Sequence, residues 1–171
     1  VGQFKHISII KLNKKFILIN ISPYIRNNIG GTLLTKWNGV VKVRIVFCNI
    51  GWMKGYRGVK KEDPITLGGA YVDKSHQGAE QYNFLNTDGH YYGYVCTKSN
   101  GSKENELHIE KIDSAFEGKE FIDEVLVVWV SKRPNDKVGN RIIGWYENAR
   151  VYRYYQENAV AFYNIKANVE D

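Results

Sequence analysis

A chain of 171 residues, 43% hydrophobic and 25% charged, has the size and composition of one globular domain with a sizeable core; two full domains would be crowded. Three prolines and the lack of any repeat or low-complexity tract argue against wholesale disorder. The net charge of +6 is uneven: residues 1–61 hold 12 of the 24 Lys and Arg and none of the 18 Asp and Glu, so residues 62–171 are left with 12 basic against 18 acidic groups. The basic balance belongs to the first third, which excludes a basic groove spread over the whole fold.

In chain order, residues 1–41 come first as a basic, Ile/Asn/Lys-rich leading segment. Its run Phe16–Ile21 is too short and interrupted for a membrane span, and no small-residue cleavage site follows it. Two readings stand: an edge hairpin, or sequence that is not part of the domain. As a basic arm it would suit phosphates; as a solvated edge it would need no partner.

From residue 42 the pattern becomes regular. Lys42–Phe47 alternates as a partly buried strand. Asn49–Gly58 has three glycines among Trp and Tyr and reads as a loop. Gly68-Gly69 marks a bulge or close approach, and His76–Asn83 a short helix or loop. Tyr91–Thr97 reads as a strand, Ser99–Ser102 as a turn, and Leu107–Ile112 as a strand by alternation. Asp113–Phe121 is a short-helix candidate with Asp113 or Ser114 as N-cap. Val125–Val130 is a continuous β-branched and aromatic run, as in a central strand. A turn containing Pro134, Asn135-Asp136 and Gly139 follows, then Arg141–Tyr146, Arg150–Tyr155 and Val160–Lys166 complete a meander. Val125, Val127, Trp129, Ile143 and Val151 are the expected core.

The expected fold is therefore mainly β (α+β): a curved antiparallel sheet or a partly open small barrel with one or two short helices, formed by a single β-rich domain over 42–171 that continues beyond the last residue. Cys48 and Cys96 have no C-x-x-C or Cys/His metal spacing. They are expected to be buried thiols of a reducing cytoplasm, with a disulfide as the alternative.

Aromatic residues make up 13% of the chain, with 12 Tyr and 4 Trp, and both types suit half-wet grooves as well as cores. Trp145, Asn148, Arg150, Tyr152 and Arg153 lie on one strand–turn–strand segment. An Arg beside a Tyr on one face stacks on a base and neutralises a phosphate. Trp52, Lys54, Tyr56 and Arg57 sit among glycines that admit close approach of a ligand. Asn83, with Glu80 and Phe84, and Tyr92, with Tyr91, have the types that read a base edge and sandwich its ring. For every one of these the competing reading is structural: aromatics in the core, basic residues on a solvated surface.

Catalytic signals are thin. Asp113…Glu117-Gly118-Lys119 has the carboxylate–lysine order of a metal-dependent nuclease but sits at a helix start. Asp73, His76, Asp88 and His90 are metal-ligand types without a tight spacing. Phosphate-loop, nucleophile-elbow, zinc-protease and dinucleotide motifs are missing from the sequence.

The segments Asn49–Gly58, Gly68–Phe84, Tyr91–Val95 and Val125–Arg153 resemble a bacterial domain associated with HNH-type and other restriction-like nucleases. The likeness covers about residues 42–166, and Gly144–Arg153 is its most specific part. It implies a DNA-facing target-recognition module. The strand–turn–strand layout around Trp145 is loosely similar to PUA-like readers such as EVE and YTH domains, which hold a base in an aromatic cage. The expectation is a cytoplasmic nucleic-acid recognition module, DNA in the first instance, that reads an exposed or modified base. It would act with a nuclease domain in restriction or defence, without membrane, metal or cofactor and without catalysis of its own. The alternatives are a small metal-dependent enzyme using the 73–90 loop region and a protein-interaction β domain.

Overall fold

A computed structural model describes residues 35–37, 40–97 and 106–170. The fold is mainly β. Strands β1 (Thr35–Trp37), β2 (Val40–Lys42) and β3 (Arg44–Asn49) precede a short helix α1 (Ala70–Ser75) and a 3₁₀ turn at Ala79–Tyr82. Then come β4 (Asn86–Thr87), β5 (His90–Gly93), 3₁₀ turns at Ile109–Lys111 and Ser114–Phe116, and the long strands β6 (Phe121–Lys132), β7 (Asn140–Glu157) and β8 (Phe162–Asn168). β1 and β2 form a two-stranded antiparallel ladder; the other six strands form one sheet in the order β3-β6-β7-β8-β5-β4. The rest of the leading segment, residues 1–34, and the turn at Ser99–Ser102 lie outside the described residues.

The sheet is open, with β3 and β4 at its edges, so of the two expected forms it is a sheet and not a partly open small barrel. Nor is it purely antiparallel, because β3 runs parallel to β6. The reason is the path of the chain. After β3 it crosses to the far edge, forms β4 and β5 there, and returns to lay β6 between β3 and β7.

β6 occupies the interior of the sheet, which explains its unbroken apolar run. Val125, Val127 and Trp129 on its inner side are fully buried, with Ile122 and Ser131 beside them. Val151 on β7 and Ile165 on β8 continue this core, while Ile143 is only partly buried at its margin. α1 and the 3₁₀ turns add Val72, Ile109, Ile112 and Phe116 to the same inner side.

β7 is one continuous strand of 18 residues where a strand–turn–strand was expected. The apparent turn is a bulge. Val125 pairs with Ala149 and Val127 with Tyr146, so β7 carries one extra residue there, and Asn148 takes the positive φ of 46°. Asn tolerates that region better than most residues. A second bulge on β6, at Glu124 (φ 58°), offsets the first. Together they keep Ile122, Val125, Ala149 and Val151 all facing the core.

Other expectations are corrected. Leu107–Ile112 is not a strand: Ile109 and Ile112, three apart, meet the core from a 3₁₀ turn. The helix expected over Asp113–Phe121 shrinks to Ser114–Phe116, with Asp113 accepting from the Ala115 N–H at 3.2 Å as N-cap, and Phe121 already belongs to β6. Of the bulge or close approach expected at Gly68-Gly69, the close approach is found: a Cβ on Gly68 would meet the Val72 side chain at 2.7 Å, while Gly69 (φ 97°) caps α1. The strand over Tyr91–Thr97 ends at Gly93. Beyond it two buried asparagines stand in for a ladder: Asn83 bonds both the N–H and the carbonyl of Tyr94 (2.9 and 3.1 Å), and Asn164 does the same for Val95 (3.1 and 2.9 Å).

No helix among the described residues is long and apolar enough to cross a membrane.

Candidate nucleic-acid interface on the open sheet face

Alternation along a strand sends neighbouring side chains to opposite sides of the sheet. While one side is filled by the core, the other carries a row of rings that spans four strands. Phe121 (β6) lies 6.2 Å from Tyr152 (β7), which lies 5.9 Å from Tyr163 (β8), which lies 4.8 Å from Tyr92 (β5), and His90 continues the row at 5.9 Å. Cations sit at both ends of the four-ring stretch. The Arg150 guanidinium is 4.1 Å from the Phe121 centroid, and the Lys166 ammonium is 5.6 Å from that of Tyr92. Arg150, Lys166 and Tyr92 are direct cross-strand neighbours. Phe121 is 39% exposed and the tyrosines are half-buried, so edges and parts of faces remain open to solvent.

Arg150 is not a lone cation. Its Nε and one terminal nitrogen donate to both oxygens of Asp123, at 2.6 and 3.0 Å. That pairing holds the guanidinium above its usual range, through the carboxylate hydrogen bonds first.

The same face has a second, apolar zone. Phe47, Val128 and Trp145 stand in direct register across β3, β6 and β7. Phe47 and Trp145 are 47% and 52% exposed, yet Val128 between them is only 7% exposed, because the two rings flank it. The Trp145 indole N–H donates to Glu147 at 3.2 Å.

Of the residues singled out in the sequence, the structure brings Tyr92, Arg150 and Tyr152 together in the aromatic row, with Trp145 on the same face in the apolar zone. It does not bring the others there. Arg153 is nearly buried, donating to Glu110 (2.9 Å), Glu106 (3.4 Å) and the Lys119 carbonyl (2.8 Å), so it fastens the 106–119 segment to β7. Asn148 forms the β7 bulge, with its side-chain oxygen buried and unpartnered among the described residues. Asn83 is fully buried in its clamp on Tyr94 and accepts the Tyr146 hydroxyl on its own carbonyl. Tyr56 is a core residue whose hydroxyl donates to the Gly51 carbonyl at 2.7 Å and accepts the Met53 N–H at 3.0 Å. Trp52 is half-buried near Arg133, and Lys54 and Arg57 are exposed on the same glycine-rich loop, apart from the row.

That loop is fastened from below. Glu80, 4% exposed, accepts the Gly51 N–H at 2.6 Å, and burial pushes its carboxyl up to about 7. Asp63 accepts the Lys54 and Gly55 N–H groups. The two cysteines are free thiols; Cys48 is buried, which pushes its thiol up to about 12, whereas Cys96 is exposed. Both line a cleft of about 480 Å³ beside β3 and residues 106–112. Among the described residues no group of three or more His, Cys, Asp or Glu is placed to hold a metal. Asp73 bonds the Leu67 N–H at 3.2 Å, and His90 turns its Nδ1 to the Asp88 carbonyl at 2.9 Å.

Phe121, Tyr163, Lys166 and Asp123 were not singled out in the sequence, and His90 was singled out only as a metal-ligand type. Strict alternation puts Tyr163 and Lys166, three apart on β8, on opposite faces; the register shift between Val151/Ile165 and Gln156/Tyr163 brings both beside Tyr92. No known protein family, curated protein or solved structure matches this chain.

Proposed function

We propose that the open sheet face binds single-stranded nucleic acid, DNA in the first instance, and selects it by stacking exposed bases on the Phe121–Tyr152–Tyr163–Tyr92 row. The observation that carries this reading is the continuity of that row across four strands, with a cation over each end ring. A ring lying open on a sheet stacks on an unpaired base, whereas a duplex hides its base faces. The cationic complement is small and Arg150 is already ion-paired, so the dependence on salt is shallow, with a slope no steeper than about −1.4 for two phosphate contacts on a single strand.

The wider setting is the one the nuclease-associated resemblance implies. The domain acts in the cytoplasm as a recognition module beside a nuclease domain, in restriction or defence, and the base it reads is exposed or modified. Kinship with PUA-like readers then lies in aromatic contact with the base.

The test is a salt-titrated binding measurement on labelled single-stranded DNA, single-stranded RNA and duplex DNA. Single strands bind more tightly than duplex, with the shallow slope above. Failure to bind any of the three at ~20 mM salt, where the phosphate term is strongest, overturns the reading.

A second reading rests on the Phe47–Val128–Trp145 row, whose two exposed aromatics form a surface for a protein partner. Sedimentation over a range of concentrations tests it in its simplest form: self-association that Trp145→Glu abolishes would establish that zone as a contact between copies.

A further inference from the structure

Resting on the nucleic-acid reading, we infer that Arg150 recognises the edge of a guanine and not a backbone phosphate. A guanidinium has five N–H donors in a rigid fork. Asp123 takes one edge of it, Nε with one terminal nitrogen, at 2.6 and 3.0 Å. One hydrogen on each terminal nitrogen points along the end of the group, these two being parallel, and the Tyr152 side chain also hydrogen-bonds the guanidinium from beside it.

The carboxylate also cancels the charge. An approaching phosphate meets an ion pair that is already neutral overall, so repulsion from Asp123 offsets part of its attraction to Arg150. A base edge is uncharged, so it loses nothing to Asp123 and gains two directed hydrogen bonds. Guanine offers O6 and N7 as adjacent acceptors, whereas adenine offers one acceptor and one donor on the same edge. In a single strand cytosine exposes O2 and N3 as a rival pair; the larger guanine ring stacks more fully on the neighbouring aromatics.

The fork is held ready for this. Phe121 lies beneath it at 4.1 Å, Asp123 fixes its rotation, and Tyr152, paired with Phe121 across the strands, stands beside it. Ordering the arginine before the ligand arrives removes a side-chain entropy cost from binding. A base that meets the end of the fork lies at the Phe121–Tyr152 end of the aromatic row. Asp123 is accordingly a positioning residue, and Arg150 is the one that touches the ligand.

The experiment uses the full chain and short thymidine oligonucleotides carrying one central dG, dA, dC or 7-deaza-dG, at ~20 and ~150 mM salt. Wild type binds the dG oligonucleotide roughly tenfold or more tightly than the dA one. That preference disappears with 7-deaza-dG, which lacks the N7 acceptor, and it disappears in Arg150→Lys, which keeps the charge balance with Asp123, without a change in salt slope. Asp123→Asn binds every oligonucleotide more tightly, with a steeper salt slope and a weaker dG preference, because the guanidinium is released as a net charge. Melting curves confirm that the variants are folded, and the 7-deaza-dG comparison needs no variant at all. Equal affinity for all four oligonucleotides, or a dG preference that Arg150→Lys retains, overturns the assignment of guanine recognition to Arg150. A dC preference overturns it in favour of the cytosine edge. Absence of binding to any oligonucleotide at ~20 mM salt overturns the assignment together with the reading it rests on.

Discussion

The sheet carries an aromatic cluster on each side, and the two are alike in composition and opposite in state. On the inner side Trp129, Tyr146, Phe84, Tyr91 and Tyr56 pack at centroid distances of 5.1, 5.7 and 5.9 Å, with Trp129, Tyr146 and Tyr56 at 3% exposure or less. The hydroxyls of Tyr146 and Tyr56 are bonded into the backbone, to the carbonyls of Asn83 and Gly51, and burial drives the Tyr146 hydroxyl well above its ordinary range. The outer rings meet at similar distances but keep solvent on one side and cations beside them. Tyr91 and Tyr92 are neighbours in sequence, as are Trp145 and Tyr146, and each pair is divided between the two sides. Residue type therefore does not sort a ring into core or surface; strand pitch does.

The contrast can be broken most severely from the inner side. Val127→Asp puts a carboxylate among fully buried neighbours at a cost of several kcal/mol or more, and no cooperative transition is expected in a thermal melt followed by circular dichroism. Tyr146→Ala leaves a large cavity between Trp129 and Phe84 and costs about 3–5 kcal/mol in a denaturant titration.

Glu80 sharpens the comparison by charge. Its carboxyl titrates near 7 in the folded chain, raised by burial, against an ordinary 4.5. At pH below 4.5 it is protonated in both states. Between 4.5 and 7 the folded state keeps a proton that the unfolded state has released, so stability falls as pH rises through this window and the cost is complete above it. The shift corresponds to about 3 kcal/mol. Glu80→Gln, which retains an acceptor for the Gly51 N–H, is expected to stabilise by up to that amount at pH 8 and by almost nothing at pH 4. Equal effects at both pH values would show that the carboxylate is not desolvated.

Tyr152→Ala tests the outer side. It costs less than about 1 kcal/mol of stability and about 1–3 kcal/mol of single-strand affinity, with little change in salt slope. A loss of stability as large as that of Tyr146→Ala would erase the distinction between the two clusters. The smallest effect is expected from deleting residues 1–40. The six-stranded sheet starts at Arg44, so the remainder should stay soluble and melt cooperatively; a large fall in Tm would make the leading segment part of the domain.

What was legible in the sequence follows the same division. The Val125–Val130 run announced a central strand because β-branched residues on both faces have few other uses, and four of the five expected core residues are at 1% exposure or less. The meander from β6 to β8 was legible in outline, although the turn expected between Tyr146 and Arg150 is a bulge within β7. The parallel β3–β6 pairing was not, since nothing local records which distant strand lies alongside. Leu107–Ile112 misled because its apolar residues fit alternation while the actual contact uses the three-residue spacing of Ile109 and Ile112. Asn83 and Tyr56 have the same side chains whether they face a ligand or close a backbone, and here they close a backbone. Arg150 and Tyr152 were legible as neighbours on one face of one strand, but Tyr92 was not legible as joining them, because that meeting depends on register across β5, β8 and β7.

The parallel edge strand also sets a schedule for synthesis. β3 pairs with a strand 81 positions further on, down to the Ser131 hydroxyl that donates to the Ile50 carbonyl. A nascent chain leaves the ribosome from its N-terminal end, so Arg44–Asn49 emerges well before β6. β6, β7 and β8 are consecutive and joined by short turns, and such local pairings form early, whereas distant ones wait on loop closure. Until then Ile45, Phe47 and Ile50 have no partner strand to cover them. The stretch from Arg44 to Ile50 is the one a chaperone would hold during translation, and its capture by β6 is the step that commits the domain to its native topology.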